Sequence, residues 1–147
     1  MITLEKIMSL RRVPLFERVP SAELARIAEV TEELVLQAGG LVFSEGDYGD
    51  ALFIIAGGRI RITLGGKLLA TLEKPNYFGE MSLLDGEPRS ASAEAEVDSL
   101  LLRINQKDFQ GILKRHPEAS LAVIRTLSNR LRAQLQRDQD SGRGQSR

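Results

Sequence analysis

From about Glu33 to Asn105 glycines cut the chain into short apolar runs, and this limits the fold more than any other feature. Gly39-Gly40, Gly46, Gly49, Gly57-Gly58, Gly65-Gly66, Gly79 and Gly86 supply the breaks. Short runs at regular spacing with turn signals between them point to a barrel or sandwich of strands. In Arg59–Leu64, Ile60, Ile62 and Leu64 share one face and Arg59, Arg61 and Thr63 the other. Leu68, Ala70 and Leu72 repeat the pattern beyond Gly65-Gly66. That predicts a tight hairpin, because a type I′ turn needs positive φ at both central residues. Ala91, Ala93, Ala95 and Val97 alternate with Ser92, Glu94 and Glu96, a half-buried strand. Leu100, Leu102 and Ile104 suggest another.

Helices flank this region. Leu4, Ile7 and Met8, then Leu24, Ile27 and Val30, follow helical spacing, with Pro14 and Pro20 as breaks and Ser21 as the expected N-cap. Asn105 is the expected N-cap of a helix through Phe109, Ile112 and Leu113. His116-Pro117 then marks a boundary, with Pro117 acceptable at the first position of a last helix carrying Leu121, Ile124, Leu127, Leu131 and Leu135. Residues 1–138 read as one domain and 139–147 as a disordered polar tail.

Composition narrows the function classes. There is no cysteine, which excludes disulfides, thiolate chemistry and cysteine–zinc sites and fits a reducing, cytoplasmic setting. A single histidine, His116, excludes sites needing two. No apolar run suits a membrane span, and no signal-peptide core is present. Formal net charge is +0, which argues against a wholesale nucleic-acid binder. That neutrality is a sum of unlike parts. Residues 1–102 carry ten basic and sixteen acidic side chains, whereas residues 103–147 carry ten basic and four acidic.

Strand parity gives the sharpest chemical clue. If Ala91 and Ala93 face the core, Arg89 faces it too, and a guanidinium held there needs an anionic partner. Alternatively, Arg89 lies just outside the strand and turns to solvent or to Glu87. Nearby, Phe78-Gly79-Glu80-Met81-Ser82-Leu83-Leu84 is apolar with one carboxylate, Asp85-Gly86 makes a turn, and Pro88 stiffens the approach to Arg89. Backbone N–H groups, Glu80, Arg89 and the Ser90 hydroxyl together suit an organic phosphate carrying a sugar. No nucleophile, metal cluster or histidine partner accompanies the carboxylates, so neither an enzyme nor a metal site is expected. Gly65-Gly66-Lys67 lacks the remainder of a phosphate-binding loop and reads as the hairpin turn.

The stretch from Phe78 to Ala91 resembles the phosphate-binding cassette of cyclic nucleotide-binding domains. Val42–Ile55, through Gly58-Arg59, resembles the strand–turn–strand signature of the same family, and the likeness covers roughly residues 10 to 135. It implies an α+β fold that is mostly β: an eight-stranded, jelly-roll-like β-roll with N-terminal helices and two C-terminal helices. It implies a non-enzymatic cyclic nucleotide sensor in a standalone bacterial-type module, with cAMP favoured by Ser90 and cGMP as the alternative.

In that reading Arg89 and Ser90 hold the cyclic phosphate, with backbone N–H groups around Met81, Ser82 and Leu83. Gly79 and Glu80 take the ribose 2′-hydroxyl, and Asp50 orients Arg89 from behind. Leu64 and Leu72 flank the base. The last helix closes as a lid, with Arg125, Asn129 or Arg132 as its contact, and either packs on the roll or forms the seam of a homodimer. No recognition helix for DNA fits after Leu135, so an output protein is expected instead. The alternatives are a β-roll that no longer responds to ligand, kept as an interaction module, or the regulatory piece of a larger protein.

Overall fold

The computed structural model describes residues 1–145, with side chains to 140. Three helical segments come first: α1 (Thr3–Arg11), a one-turn 3-10 helix (Pro14–Phe16) and α2 (Ser21–Val30). The expected capping role of Ser21 is corrected. Pro20 occupies the N-cap position with extended backbone, and no side chain caps α2. The Ser21 hydroxyl instead accepts a hydrogen bond from Arg11 Nη2 at 3.2 Å.

Eight strands follow: β1 (Glu32–Leu36), β2 (Leu41–Phe43), β3 (Ala51–Gly57), β4 (Ile60–Leu64), β5 (Lys67–Leu72), β6 (Tyr77–Phe78), β7 (Ser92–Ala95) and β8 (Ser99–Asn105). They form two four-stranded antiparallel sheets, β1-β8-β3-β6 and β2-β7-β4-β5. This is the expected α+β architecture built on an eight-stranded roll. Helix α3 (Glu80–Asp85) interrupts it between β6 and β7, and α4 (Gln106–Arg115) and α5 (Pro117–Gln145) close the chain. The segment expected as a polar tail overlaps the end of α5, and its last two residues lie outside those described.

Two cores share strand β3. Ala51, Phe53 and Ile55 point between the sheets, where they meet Phe78, Ala93, Ala95 and Leu101. Leu52 and Ile54 point the other way, onto Leu24 and Ile27 of α2, Phe109 of α4 and Val123 of α5. Burial on both faces explains why this strand reads as a continuous apolar run. The β4–β5 hairpin turns at Gly65 (φ 57°) and Gly66 (φ 80°), the left-handed pair that its turn requires. In β7, Ala93 and Ala95 face inward while Glu94 reaches Arg61 at 3.5 Å on the outer face. Asn105 caps α4 by accepting from the Asp108 N–H at 2.9 Å. A single residue, His116, separates α4 from α5.

Candidate functional site

The two motifs singled out in the sequence meet at Arg89. Its backbone N–H donates to the Asp47 carbonyl at 2.6 Å, and its carbonyl accepts from the Gly46 N–H at 2.8 Å. This ties the β2–β3 loop to the segment after α3. The side chain turns inward. Nη1 donates to the Gly79 carbonyl at 2.6 Å and Nη2 to the Ala51 carbonyl at 2.7 Å. The guanidinium carbon lies 4.2 Å from the centroid of Phe43. Phe43 belongs to a cluster with Phe53 and Phe78, ring centroids 5.5–6.0 Å apart.

Arg89 is thus neither solvent-facing nor paired with Glu87. It is only 6% exposed, and no carboxylate lies within ion-pair distance among the described residues. Burial draws its pKa below the ordinary value, while the negative charges of Asp50, Glu80 and Asp47 push it back up. A guanidinium remains charged at neutral pH in any case. Two backbone carbonyls and a ring face satisfy part of it, but no counter-charge does.

Two glycines make room for this side chain. A Cβ on Gly49 would stand 2.5 Å from Arg89 Cζ and 2.8 Å from Ser82 Cβ. Gly79 has φ 91°, and a Cβ there would meet Arg89 Nη1 at 2.9 Å. This left-handed residue also lets the chain turn from β6 directly into α3, whose first residue is Glu80.

Glu80 is buried, with a side chain 3% exposed, and its Oε1 accepts from Arg130 Nη1 at 2.8 Å. Arg130 also donates to the Tyr77 carbonyl and lies over the Tyr77 ring at 5.4 Å. It comes from α5, fifty residues downstream of Glu80. The sequence reading placed the contact of the last helix among Arg125, Asn129 and Arg132. The helix presents Arg130 instead. Val123, Leu127 and Arg130, four and three residues apart, share the body-facing side, and Arg125, Asn129 and Arg132 are exposed. That spacing could have set the phase, but the outward leucines make an equally good stripe.

Other expected residues fall as follows. Ser82 and Leu83 are buried in α3, Met81 is half-exposed, and Ser90 is exposed beside Arg89. Asp50 does not touch Arg89: its carboxylate pairs with Arg103 at 3.3 Å, so the carbonyls of Gly79 and Ala51 orient the guanidinium. Leu64 and Leu72 are not brought together. Leu72 pairs with Ile60 and packs between the sheets, whereas Leu64 pairs with Lys67 at the exposed hairpin tip. A cavity of about 460 Å³ lies elsewhere, between Met8 of α1 and Ile55 and Pro75, away from this constellation.

Among the described residues the arrangement offers a buried cation lacking a counter-charge, a buried carboxylate, and α5 tied to that carboxylate. The profile of the cyclic nucleotide-binding domain family matches residues 33–116. This chain belongs to the cyclic nucleotide-binding domain family. Among similar proteins, the cyclic nucleotide-gated potassium channel RHE_CH03180 of Rhizobium etli is 33% identical over 124 residues, 80% of this chain and 33% of its own length. The cyclic AMP receptor protein of Thermus thermophilus is 36% identical over 124 residues, 81% of this chain and 57% of its own length. The crystal structure of Thermus thermophilus catabolite activator protein superposes with a TM-score of 0.74 at 35% identity, covering 87% of this chain and 63% of that one. The chain therefore spans between one third and two thirds of these relatives. It is a cyclic nucleotide-binding regulatory domain, a binding fold rather than a catalytic one. No described helix is long and apolar enough to cross a membrane.

Proposed function

We propose that this domain is a cAMP sensor in which Arg89 receives the cyclic phosphate and α5 responds as a lid. The observation that carries the reading is the buried Arg89 guanidinium, held by two carbonyls and a ring but lacking a carboxylate partner among the described residues. A ligand phosphate would supply the missing negative charge, and a charged hydrogen bond of this kind contributes about 1.5–3 kcal/mol net. Ser90 stands beside it as a hydroxyl donor, and the backbone N–H groups around Met81, Ser82 and Leu83 complete the cradle. Leu72, packed between the sheets, is the apolar contact for the base, with Leu64 at the outer rim. Similarity to a protein named as a cyclic AMP receptor supports cAMP over cGMP.

Glu80, with Gly79, takes the ribose 2′-hydroxyl. An ionised carboxylate can accept several hydrogen bonds, so Glu80 can serve the ribose while Arg130 holds its other lone pairs. The ligand then touches the carboxylate that anchors α5, and differential affinity for two positions of α5 shifts their populations. Asp50 acts through its field alone, since its carboxylate is engaged with Arg103.

Calorimetry with cAMP, cGMP and 5′-AMP tests the reading. cAMP should bind most tightly, and Arg89→Ala should weaken it at least tenfold with the fold intact. Arg89→Lys should also weaken it, because the two-pronged geometry is lost. Equal affinity of Arg89→Ala and wild type would overturn the site. If neither cyclic nucleotide binds or raises the melting temperature at millimolar concentration, the roll is an interaction module instead.

A further inference from the structure

Helix α5 has two apolar faces, and only one is used within the domain. Ala119, Val123 and Leu127 pack inward, in phase with Arg130. Leu121, Ile124, Leu131 and Leu135 face outward and are 56%, 60%, 60% and 56% exposed. Their spacing leaves one gap in the stripe, filled by Ser128. The stripe extends over about 21 Å of helix, close to four turns. Anchors at such spacing are what one amphipathic helix presents to another.

The charge beside the stripe specifies what covers it. Arg125 and Arg132 each follow an exposed anchor, both are exposed, and neither has an ion-pair partner among the described residues. Between Ala119 and Arg137 the helix contains no Asp or Glu at all. A second copy of α5 would therefore cover the leucines but bring no carboxylate to these arginines. We propose that the outer face of α5 is a docking strip for an amphipathic helix of another protein, one that carries leucine-type anchors edged by Asp or Glu. This reading does not depend on the nucleotide. It gives α5 an inner face tied to Glu80 and an outer face open to a partner, so occupancy of either biases the same element.

The test uses the full chain and a fluorescein-labelled synthetic helix of three heptads, with leucine at the anchor positions and glutamate along their edges. Controls are the same composition scrambled and a version with lysine in place of glutamate. The intact acidic helix should bind at least tenfold more tightly than either control, and its affinity should fall between 50 and 300 mM NaCl. Leu131→Ser should abolish binding. Arg125→Ser with Arg132→Ser should weaken it about fivefold and flatten the salt dependence, while cAMP calorimetry reports the nucleotide site separately. Equal binding of intact and scrambled peptides would overturn the proposal. So would a dimer at micromolar concentration in sedimentation that Leu131→Ser dissociates, because the strip would then be covered by a second copy. Capture by phosphatidylserine vesicles without binding of the acidic helix would assign the face to a membrane surface and overturn it equally.

Discussion

The Arg89 guanidinium carbon sits 4.2 Å above the ring of Phe43, from the opposite sheet to the carbonyl of Ala51 that it also contacts. The ring holds one face of the guanidinium while Gly79 and Ala51 fix two of its nitrogens. A desolvated cation–π contact is worth up to about 2 kcal/mol. Phe43→Leu should therefore weaken cAMP binding about five- to tenfold, whereas Phe43→Tyr should keep most of it. If Phe43 acts through Arg89, the loss should vanish in an Arg89→Ala background. A calorimetric double-mutant cycle reads this directly, and additive losses would reduce Phe43 to a packing residue.

Gly49 provides a second, purely steric check. A methyl group there would stand 2.5 Å from Arg89 Cζ and 2.8 Å from Ser82 Cβ, so one of them must move. Both neighbours are buried, which leaves little room to yield. Gly49→Ala should cost about 1–3 kcal/mol in urea unfolding, the usual range for overpacking. It should also weaken cAMP binding more than Phe43→Leu does. A variant with unchanged stability and affinity would mean that the β2–β3 loop adapts freely.

The Glu80–Arg130 pair makes a prediction of opposite logic. Arg130→Ala leaves a buried carboxylate without its cation, whereas Glu80→Gln leaves a partly exposed arginine free to reach water. Removing one member of a buried pair is the costly change, so Arg130→Ala should destabilise by about 3 kcal/mol, the low end of the usual range because Arg130 itself is partly exposed. Glu80→Gln should cost less in stability yet more in nucleotide affinity. Denaturant unfolding and calorimetry on the two variants separate these effects, and equal costs from both variants would contradict the asymmetry.

These residues also mark where the sequence was legible. The roll could be read because glycine punctuation and period-two alternation are local properties of the chain. Strand β7 and the Gly65-Gly66 turn illustrate both. Parity with Ala91 and Ala93 suggested an inward Arg89, but Arg89 lies just outside β7, as the alternative had it, and parity alone left Glu87 or solvent open. What settles it is long-range: the Ala51 carbonyl lies 38 residues upstream. Arg130 was missed for a related reason. Two apolar stripes run along α5, and only packing against the body, at Val123 and Leu127, sets which one faces Glu80. Asp50 was read as a partner of Arg89 by resemblance, yet Arg103 of β8, with Asp50 and Glu32 at 3.3 and 3.6 Å, competes for it. Ser21 shows the limit of capping rules, since the preceding proline took the position.

Tyr77 supplies a pH-dependent test beside the same pair. It is 1% exposed, and its hydroxyl makes no hydrogen bond of normal geometry among the described residues. Burial raises its pKa above the ordinary 10.0; the nearby Thr126 hydroxyl lowers it, the Glu80 charge raises it and the Arg130 charge lowers it. The fold therefore prefers the neutral phenol. A folded-state value above the unfolded one gives stability that is complete below about pH 10 and is lost as pH rises through the folded value. Wild type should thus lose stability more steeply than Tyr77→Phe as pH rises above about 10. At pH 7 Tyr77→Phe should match or exceed wild type by up to about 1 kcal/mol, because it removes a buried hydroxyl without a partner. Urea midpoints across a pH series give both readings. Parallel alkaline slopes for the two proteins would show that Tyr77 is not the group that titrates against the fold.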